Sequence, residues 1–436
     1  MRANKVAKEM KIWKKMLILG VAVVFTAGAG VLSPEIKGVQ SSTLAPVTFP
    51  DAFDYEEGRD MHKIMEGNPV SDEFMASLQK FSYETSVKVF EDSQGNMNYS
   101  PLSLFYSLAM ATSGAEGETL EEMLSLLNVK DKEYLSEQSG NYFRTLYFDN
   151  NIGKLKLANS LWMNQDVLWK ESFIENAAKN FYTDTFQMDF KSSLTQDSMK
   201  AWIKENTQGT LEPEVELDPL QILSILNTVY FYDEWINTFD ESQTKDDVFN
   251  VMNENKVNVP FMHNPYGSGL FFKGENFLRA GLQLKNQGSM VFILPDEGVD
   301  PKELIATPEK MRIAFEEGTE GYGEITWQIP KFSFHSKINL KENLKGLGLL
   351  SPFEEDANFT AITDQMAYIS DILQETHIGI DEKGVEASSY TELSFVGTAL
   401  PIDKAEMILN RPFLYGITSP QGQLIFVGIC ENPSLD

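Results

Sequence analysis

From Ser71 onward the chain alternates apolar and polar positions with a changing period. Phe74, Leu78, Phe81, Thr85 and Val89 recur at helical steps, and Ser71 stands just before them as a cap. That spacing predicts a helix of about five turns. A second helix is expected after Pro101, and Gly117-Glu118-Thr119 opens a third through Leu127. Farther on, the segments shorten and fill with β-branched and aromatic residues. Leu155 to Trp162, Ile222 to Tyr232, Met290 to Leu294 and Thr326 to Phe334 read as strands, with helical stretches near Pro301 to Glu316 and Leu340 to Leu347. Helices come first and strands later, and no internal repeat recurs. The fold class is therefore α+β, in one large domain over residues 71–436.

The N-terminal region has a different texture. Arg2, Lys5, Lys8, Lys11, Lys14 and Lys15 precede an apolar run from Met16 to Leu32, the pattern of a secretory signal. Ala27-Gly28-Ala29 offers small residues for cleavage after Ala29, which makes residues 1–29 a signal peptide and the protein extracellular. An uncleaved membrane anchor is the rival reading; the run is slightly shorter than the roughly 20 residues a spanning helix needs. Residues 30–70, with Pro34, Pro46, Pro50 and Pro69, read as a flexible linker.

Composition narrows the chemistry. Of 436 residues, 42% are hydrophobic, enough for a large core. Acidic side chains number 64 against 36 basic, a net charge of −28 that repels nucleic acid and anionic membranes. Cys430 is the one cysteine, so no intramolecular disulfide forms, and it reads as an inert buried thiol. His62, His263, His335 and His377 include no pair at helical spacing, so no metal site is expected. Gly267-Ser268-Gly269 lacks the Gly-Lys that a phosphate cradle requires, and the nucleophile-elbow pattern is absent. Neither a cofactor nor a catalytic constellation is expected.

One segment behaves oddly. Val385, Ala387, Ser389, Thr391, Leu393 and Phe395 are small or apolar, whereas Glu386, Ser388, Tyr390, Glu392 and Ser394 between them are mostly polar. This is the two-residue period of a half-buried strand, with an inward face that begins small and ends bulky. An ordinary antiparallel strand would account for it. The stretch that follows, Gly397-Thr398-Ala399-Leu400-Pro401, instead suits an exposed, protease-accessible loop.

From Ser71 to Pro433 the chain resembles the serpin family of serine protease inhibitors, of a secreted bacterial type. The resemblance rests on separated motifs in order. Asn96, Ser100, Pro101 and Ser103 look like its first core motif, Asn206-Thr207-Gln208-Gly209 like its turn, and Asn227 to Tyr230 with Phe231 and Trp235 like its central strand. Phe292 to Gly298 and Ile329-Pro330-Lys331-Phe332 also fit, as do Asn410-Arg411-Pro412-Phe413-Leu414-Tyr415 and Phe426-Val427-Gly428 with Asn432-Pro433.

That resemblance implies three β-sheets, about nine helices and an exposed reactive-centre loop from Glu382 to Ala399. It implies a monomer that acts as a suicide substrate: a serine protease cuts the loop, is held as a covalent acyl complex, and the loop inserts into the main sheet. Glu382, Lys383, Gly384, Val385, Glu386, Ala387, Ser388 and Ser389 would be the hinge, with Val385 where the family usually has Ser or Thr. Ser100, Ser103 and Asn227, with Trp235, match the cluster over which the sheet opens, and Gln374 replaces a family histidine there. Counting from Glu382 places the scissile bond at Thr398 and Ala399, or alternatively at Gly397 and Thr398. A small residue before the bond implies an elastase-like or subtilisin-like target. A non-inhibitory serpin that binds or chaperones a partner is the alternative.

Overall fold

The computed structural model describes residues 47–56, 60–211, 214–215, 217, 221–251, 255–286, 288–385 and 403–435. Nine α-helices occur among them: α1 (Met61–Gly67), α2 (Asp72–Glu91), α3 (Pro101–Ser113), α4 (Gly117–Leu127), α5 (Lys132–Leu146), α6 (Glu171–Phe181), α7 (Ser193–Asn206), α8 (Pro308–Glu316) and α9 (Lys341–Gly346). The strands are β1 (Met97–Tyr99), β2 (Phe148–Asp149), β3 (Gly153–Asn164), β4 (Thr183–Met188), β5 (Leu223–Glu234), β6 (Lys245–Asn250), β7 (Lys256–Lys273) and β8 (Phe277–Gln283). They continue with β9 (Ser289–Pro295), β10 (Thr319–Pro330), β11 (Phe332–Asn339), β12 (Leu373–Ile380), β13 (Gly384–Val385), β14 (Asp403–Ile408), β15 (Phe413–Thr418) and β16 (Leu424–Cys430).

Local chemistry explains the helices. The Ser71 hydroxyl accepts from the Phe74 amide, and Asp72 and Glu73 sit in the first turn, where negative charge meets the positive end of the helix dipole. Phe74, Leu78, Phe81, Thr85 and Val89 are all buried, as their spacing predicts. Ser100 caps α3 and Pro101 starts it, at the position where a missing N–H costs nothing. The stretch 301–316 splits into a 3-10 turn and α8, because Pro308 can begin a helix but not continue one.

The apolar run 326–334 also divides. Pro330 lacks the amide that would extend the ladder, so β10 ends there and the chain crosses to a different sheet as β11. One sheet has seven strands in the order β11-β12-β13-β5-β3-β2, with β4 also on β3. The other has nine, β1-β16-β15-β9-β8-β7-β10-β14, with β6 on β7. The long β7 and β10 pair with each other and tie the two smaller sheets of the expectation into this second one. Cys430 is fully buried on β16, and burial pushes its thiol pKa up, which keeps it unreactive.

The reading of 30–70 as a linker needs correction over its described part. Phe49 lies among the rings of Phe143, Tyr147 and Tyr182, at centroid distances of 6.2, 5.9 and 5.8 Å, and the Phe53 amide donates to the Asp149 carbonyl. Residues 61–67 form α1. A lone aromatic between prolines has no periodicity to reveal it, yet its ring area makes it an anchor. Residues 1–46 lie outside the described residues.

Candidate functional site

The seam between β12 and β5 gathers most of the candidate residues. Into one end of it β13 is wedged as a two-residue strand. Val385 pairs with Ile380 of β12 on one side and Asp233 of β5 on the other, and Gly384 pairs with Glu234, all antiparallel. Val385 is 2% exposed, so the departure from a hydroxyl residue fills an apolar position. Gly384 has a steric reason: a Cβ there would lie 2.3 Å from the Asp233 carbonyl oxygen.

A tight turn delivers β13 to this place. The Asp381 amide donates to the Gly384 carbonyl, and the Asp381 carboxylate accepts from the Lys383 amide. The Glu382 carboxylate accepts from Lys331 Nζ at 2.7 Å and from Thr244 Oγ1 at 2.7 Å. Burial by itself would raise its pKa, but these two hydrogen bonds outweigh burial and hold the carboxyl below the usual range. Beneath the turn, Trp235 is fully buried, with its indole N–H donating to the Asp381 carbonyl.

Beside the hinge, Asp233 is fully buried. Burial pushes its carboxyl up to about 7, although the Asn286 side chain and amide both donate to it. Its neighbour Glu234 holds Lys285 at 2.7 Å. Below Val385 the seam continues as a narrow gap of about 20 Å³. Phe231 and Ile378 line its sides, Ile417 and Phe426 of the second sheet close its inner end, and Thr207 and Thr210, after α7, border it as well.

Farther along the seam sits the polar cluster. Gln374 of β12 clamps Ser100: its Oε1 accepts from the Ser100 amide and its Nε2 donates to the Ser100 carbonyl, both at 2.9 Å. The Ser100 hydroxyl donates to the Ile425 carbonyl and accepts from the Ser103 amide. Ser103 Oγ in turn donates to Asn227 Oδ1 on β5, and Asn227 Nδ2 donates to Asn159 Oδ1 at 2.5 Å. The N-terminus of α3 thus bonds to both sides of the seam.

Four of the five cluster candidates meet here, and Trp235 does not. It stands eight residues along β5 from Asn227, about 27 Å at strand rise, and belongs to the hinge end. Asn159, Thr244 and Asp233 were not singled out from the sequence, because only strand register places them. Lys331 was visible only as part of a motif. Glu386, Ala387, Ser388, Ser389, Gly397, Thr398 and Ala399 lie outside the described residues.

Residues 76–433 match the family described as Serpin (serine protease inhibitor). Serpin-Z7 of Hordeum vulgare is 28% identical over 369 residues, covering 79% of this chain and 92% of its own. Serine protease inhibitor A3M of Mus musculus is 27% identical over 388 residues, covering 86% and 92%. The native structure of the thermophilic serpin Tengpin superposes with a TM-score of 0.76 at 27% identity, over 90% of this chain and 100% of that one. These relatives do not carry the narrower bacterial secreted type. With the match running through the α3 cluster, the seam and the closing strands alike, the chain belongs to the serpin family, a family of protease inhibitors and not of enzymes.

Proposed function

We propose that this serpin traps serine endopeptidases as a suicide substrate. The target's serine adds to the carbonyl of Thr398, the bond to Ala399 breaks, the proton passes to the Ala399 amine, and Thr398 remains as an ester on the protease. The freed loop then enters the seam from Val385 onward and carries the protease with it. A new strand that pairs on both edges and buries one face makes the product more stable than the starting fold, and that stability difference drives insertion forward.

The observation that supports this reading is the two-sided register of β13. Continued past Val385 in the inserted product, the register sets Ala387 opposite Phe231 and Ile378, and Ser389 opposite Val229 and Thr376. Thr391 then arrives between Asn227 and Gln374, at the polar cluster. The face that must enter a packed sheet first is therefore the small one. A small residue at Thr398, or at Gly397 if the bond lies one residue earlier, favours an elastase-like or subtilisin-like target. The protein works as a monomer, exported by residues 1–29, with either cleavage after Ala29 or retention at the membrane.

Incubation of the chain with elastase, subtilisin and trypsin tests this. The expected result is an equimolar complex with elastase or subtilisin that survives denaturing electrophoresis, with mass spectrometry locating the cut at Thr398. Cleaved loop with free, active protease throughout would support the non-inhibitory alternative and overturn the proposal.

A further inference from the structure

Two large apolar side chains stand exposed side by side where the loop rejoins the second sheet. The register of β7 with β10 sets Leu270 directly opposite Tyr322, and they are 49% and 53% exposed. Phe271, Gly321, Gly323 and Ile325, their neighbours along the two strands, are buried, so alternation turns Leu270 and Tyr322 to the outer face. Directly opposed residues hold their Cβ atoms about 5 Å apart, which makes the two side chains one continuous patch. Phe272, covered by the Arg279 guanidinium at 4.4 Å, closes one side of it. A lone exposed apolar residue needs no explanation, but a register-matched pair points to a partner.

The patch adjoins the return of the loop. Gly323, next to Tyr322, pairs with Asp403, the first residue of β14. A Cβ on Gly323 would collide with the Asp403 carbonyl, so glycine is what admits β14 at this point. One residue on, Lys404 holds Glu324 at 3.0 Å. Asp403 is thus fixed about one strand spacing, ~5 Å, from β10 and beside Tyr322. From Thr398 to Asp403 the chain advances five residues, which span at most about 17 Å whatever their course. A protease domain of about 200 residues has a radius of gyration of about 16 Å, so one that grips the Thr398 to Ala399 bond has the patch within reach of the rim of its cleft.

On the reading that a serine endopeptidase cuts the loop, we propose that Leu270 and Tyr322 form a docking surface for the body of that protease, separate from the loop that enters its cleft. Tyrosine suits the task, since a rigid ring with a polar tip anchors a contact at little entropic cost. The surface it fits is an apolar one bordered by basic groups: Glu320 and Asp403 are exposed at the edges of the patch, while Glu324 and Lys404 neutralise each other. The contact exists only in the encounter complex and is left behind once the loop carries the protease away. It therefore raises the rate of capture and leaves insertion unchanged.

Stopped-flow inhibition of elastase and subtilisin tests the surface, using the full chain, Leu270→Ser, Tyr322→Ser and the double variant. Leu350→Ser, at a residue 50% exposed in the segment after α9, is the control. Toward the protease that the unmodified chain traps, the second-order rate constant of the double variant should fall about tenfold, and that of the control should not change. The limiting rate at saturation and the moles of inhibitor consumed per mole of protease should stay constant, as they do when only binding is lost. Thermal melts of all variants should coincide. An unchanged second-order constant in the double variant, or a change in its limiting rate or stoichiometry, would overturn the docking surface alone. So would a dimer in sedimentation that Tyr322→Ser dissolves, since a second copy would then cover the face. Absence of any trapped protease would instead overturn the suicide-substrate reading, and this proposal with it.

Discussion

Glu382 and Lys331 close the upper end of the seam: carboxylate and ammonium stand 2.7 Å apart, and Glu382 is only 6% exposed. Lys331 occupies the single residue between β10 and β11, where the chain passes from one sheet to the other. The pair therefore ties the start of the loop to the junction of both sheets. Glu382→Ala should lower unfolding stability by about 1.5–3 kcal/mol, the range for a hydrogen bond to a charged group. Glu382→Lys should cost more, since two ammonium groups would then meet. Urea titrations of the three proteins give the order, and an unchanged midpoint for Glu382→Lys would refute a tethering role.

Asp233 predicts a pH dependence of opposite sign to that of Glu382. Its folded pKa is raised to about 7 from an ordinary 3.8. Stability from this group is therefore fully present below about pH 4 and is lost as pH rises to about 7, because the unfolded chain releases the proton first. Glu382, whose folded pKa is depressed, contributes stability above the ordinary carboxylate range that is lost as pH falls. Asp233→Asn should flatten the decline between pH 5 and 7 in denaturant midpoints measured across that window. A slope equal to that of the unmodified chain would exclude Asp233 as its source.

Insertion should fail when the leading residues are enlarged or charged. Val385→Arg places a cation at a position that is 2% exposed, and Gly384→Val drives a side chain into the Asp233 carbonyl. A barrier higher by about 3 kcal/mol slows insertion roughly 100-fold, time enough for the protease to hydrolyse its ester. Both variants should behave as substrates, with a many-fold rise in the moles of inhibitor consumed per mole of elastase or subtilisin blocked.

Gln374 satisfies both backbone groups of Ser100 from one amide. Gln374→Ala leaves the buried Ser100 N–H without a partner, at a cost of about 1–3 kcal/mol, while the Ser100 carbonyl keeps the Leu104 amide. Gln374→His can supply a donor or an acceptor from one ring, and would bring a group that titrates near neutrality into the cluster. Thermal melts should rank Gln374 above His and His above Ala at pH 8, with the His variant alone losing further stability on acidification to pH 5.5.

Much of the local architecture could be read directly. The helically spaced residues Phe74, Leu78, Phe81, Thr85 and Val89 of α2 and the caps at Ser71 and Ser100 all concern neighbours a few residues apart. The run 326–334 misled for a physical reason: the composition of one strand continues unbroken through Pro330, although its halves serve different sheets. Phe49 misled because a single ring among prolines gives no pattern, and Trp235 because its motif lies on the same strand as Asn227 but at the other end.

Near-neighbour periodicity, capping and turn chemistry act within a few residues, so the sequence by itself determined several of the helices, four of the strand segments and, through its motifs, the family. Only the tertiary structure decided which distant groups meet. Glu382 with Lys331 and Gln374 with Ser100 meet because distant segments pack together, and His335 stands opposite His377 through the antiparallel register of β11 with β12. Both the packing and the register are set by how whole strands bury their apolar faces, and a shift of one residue would turn every side chain of the shifted strand to the opposite face.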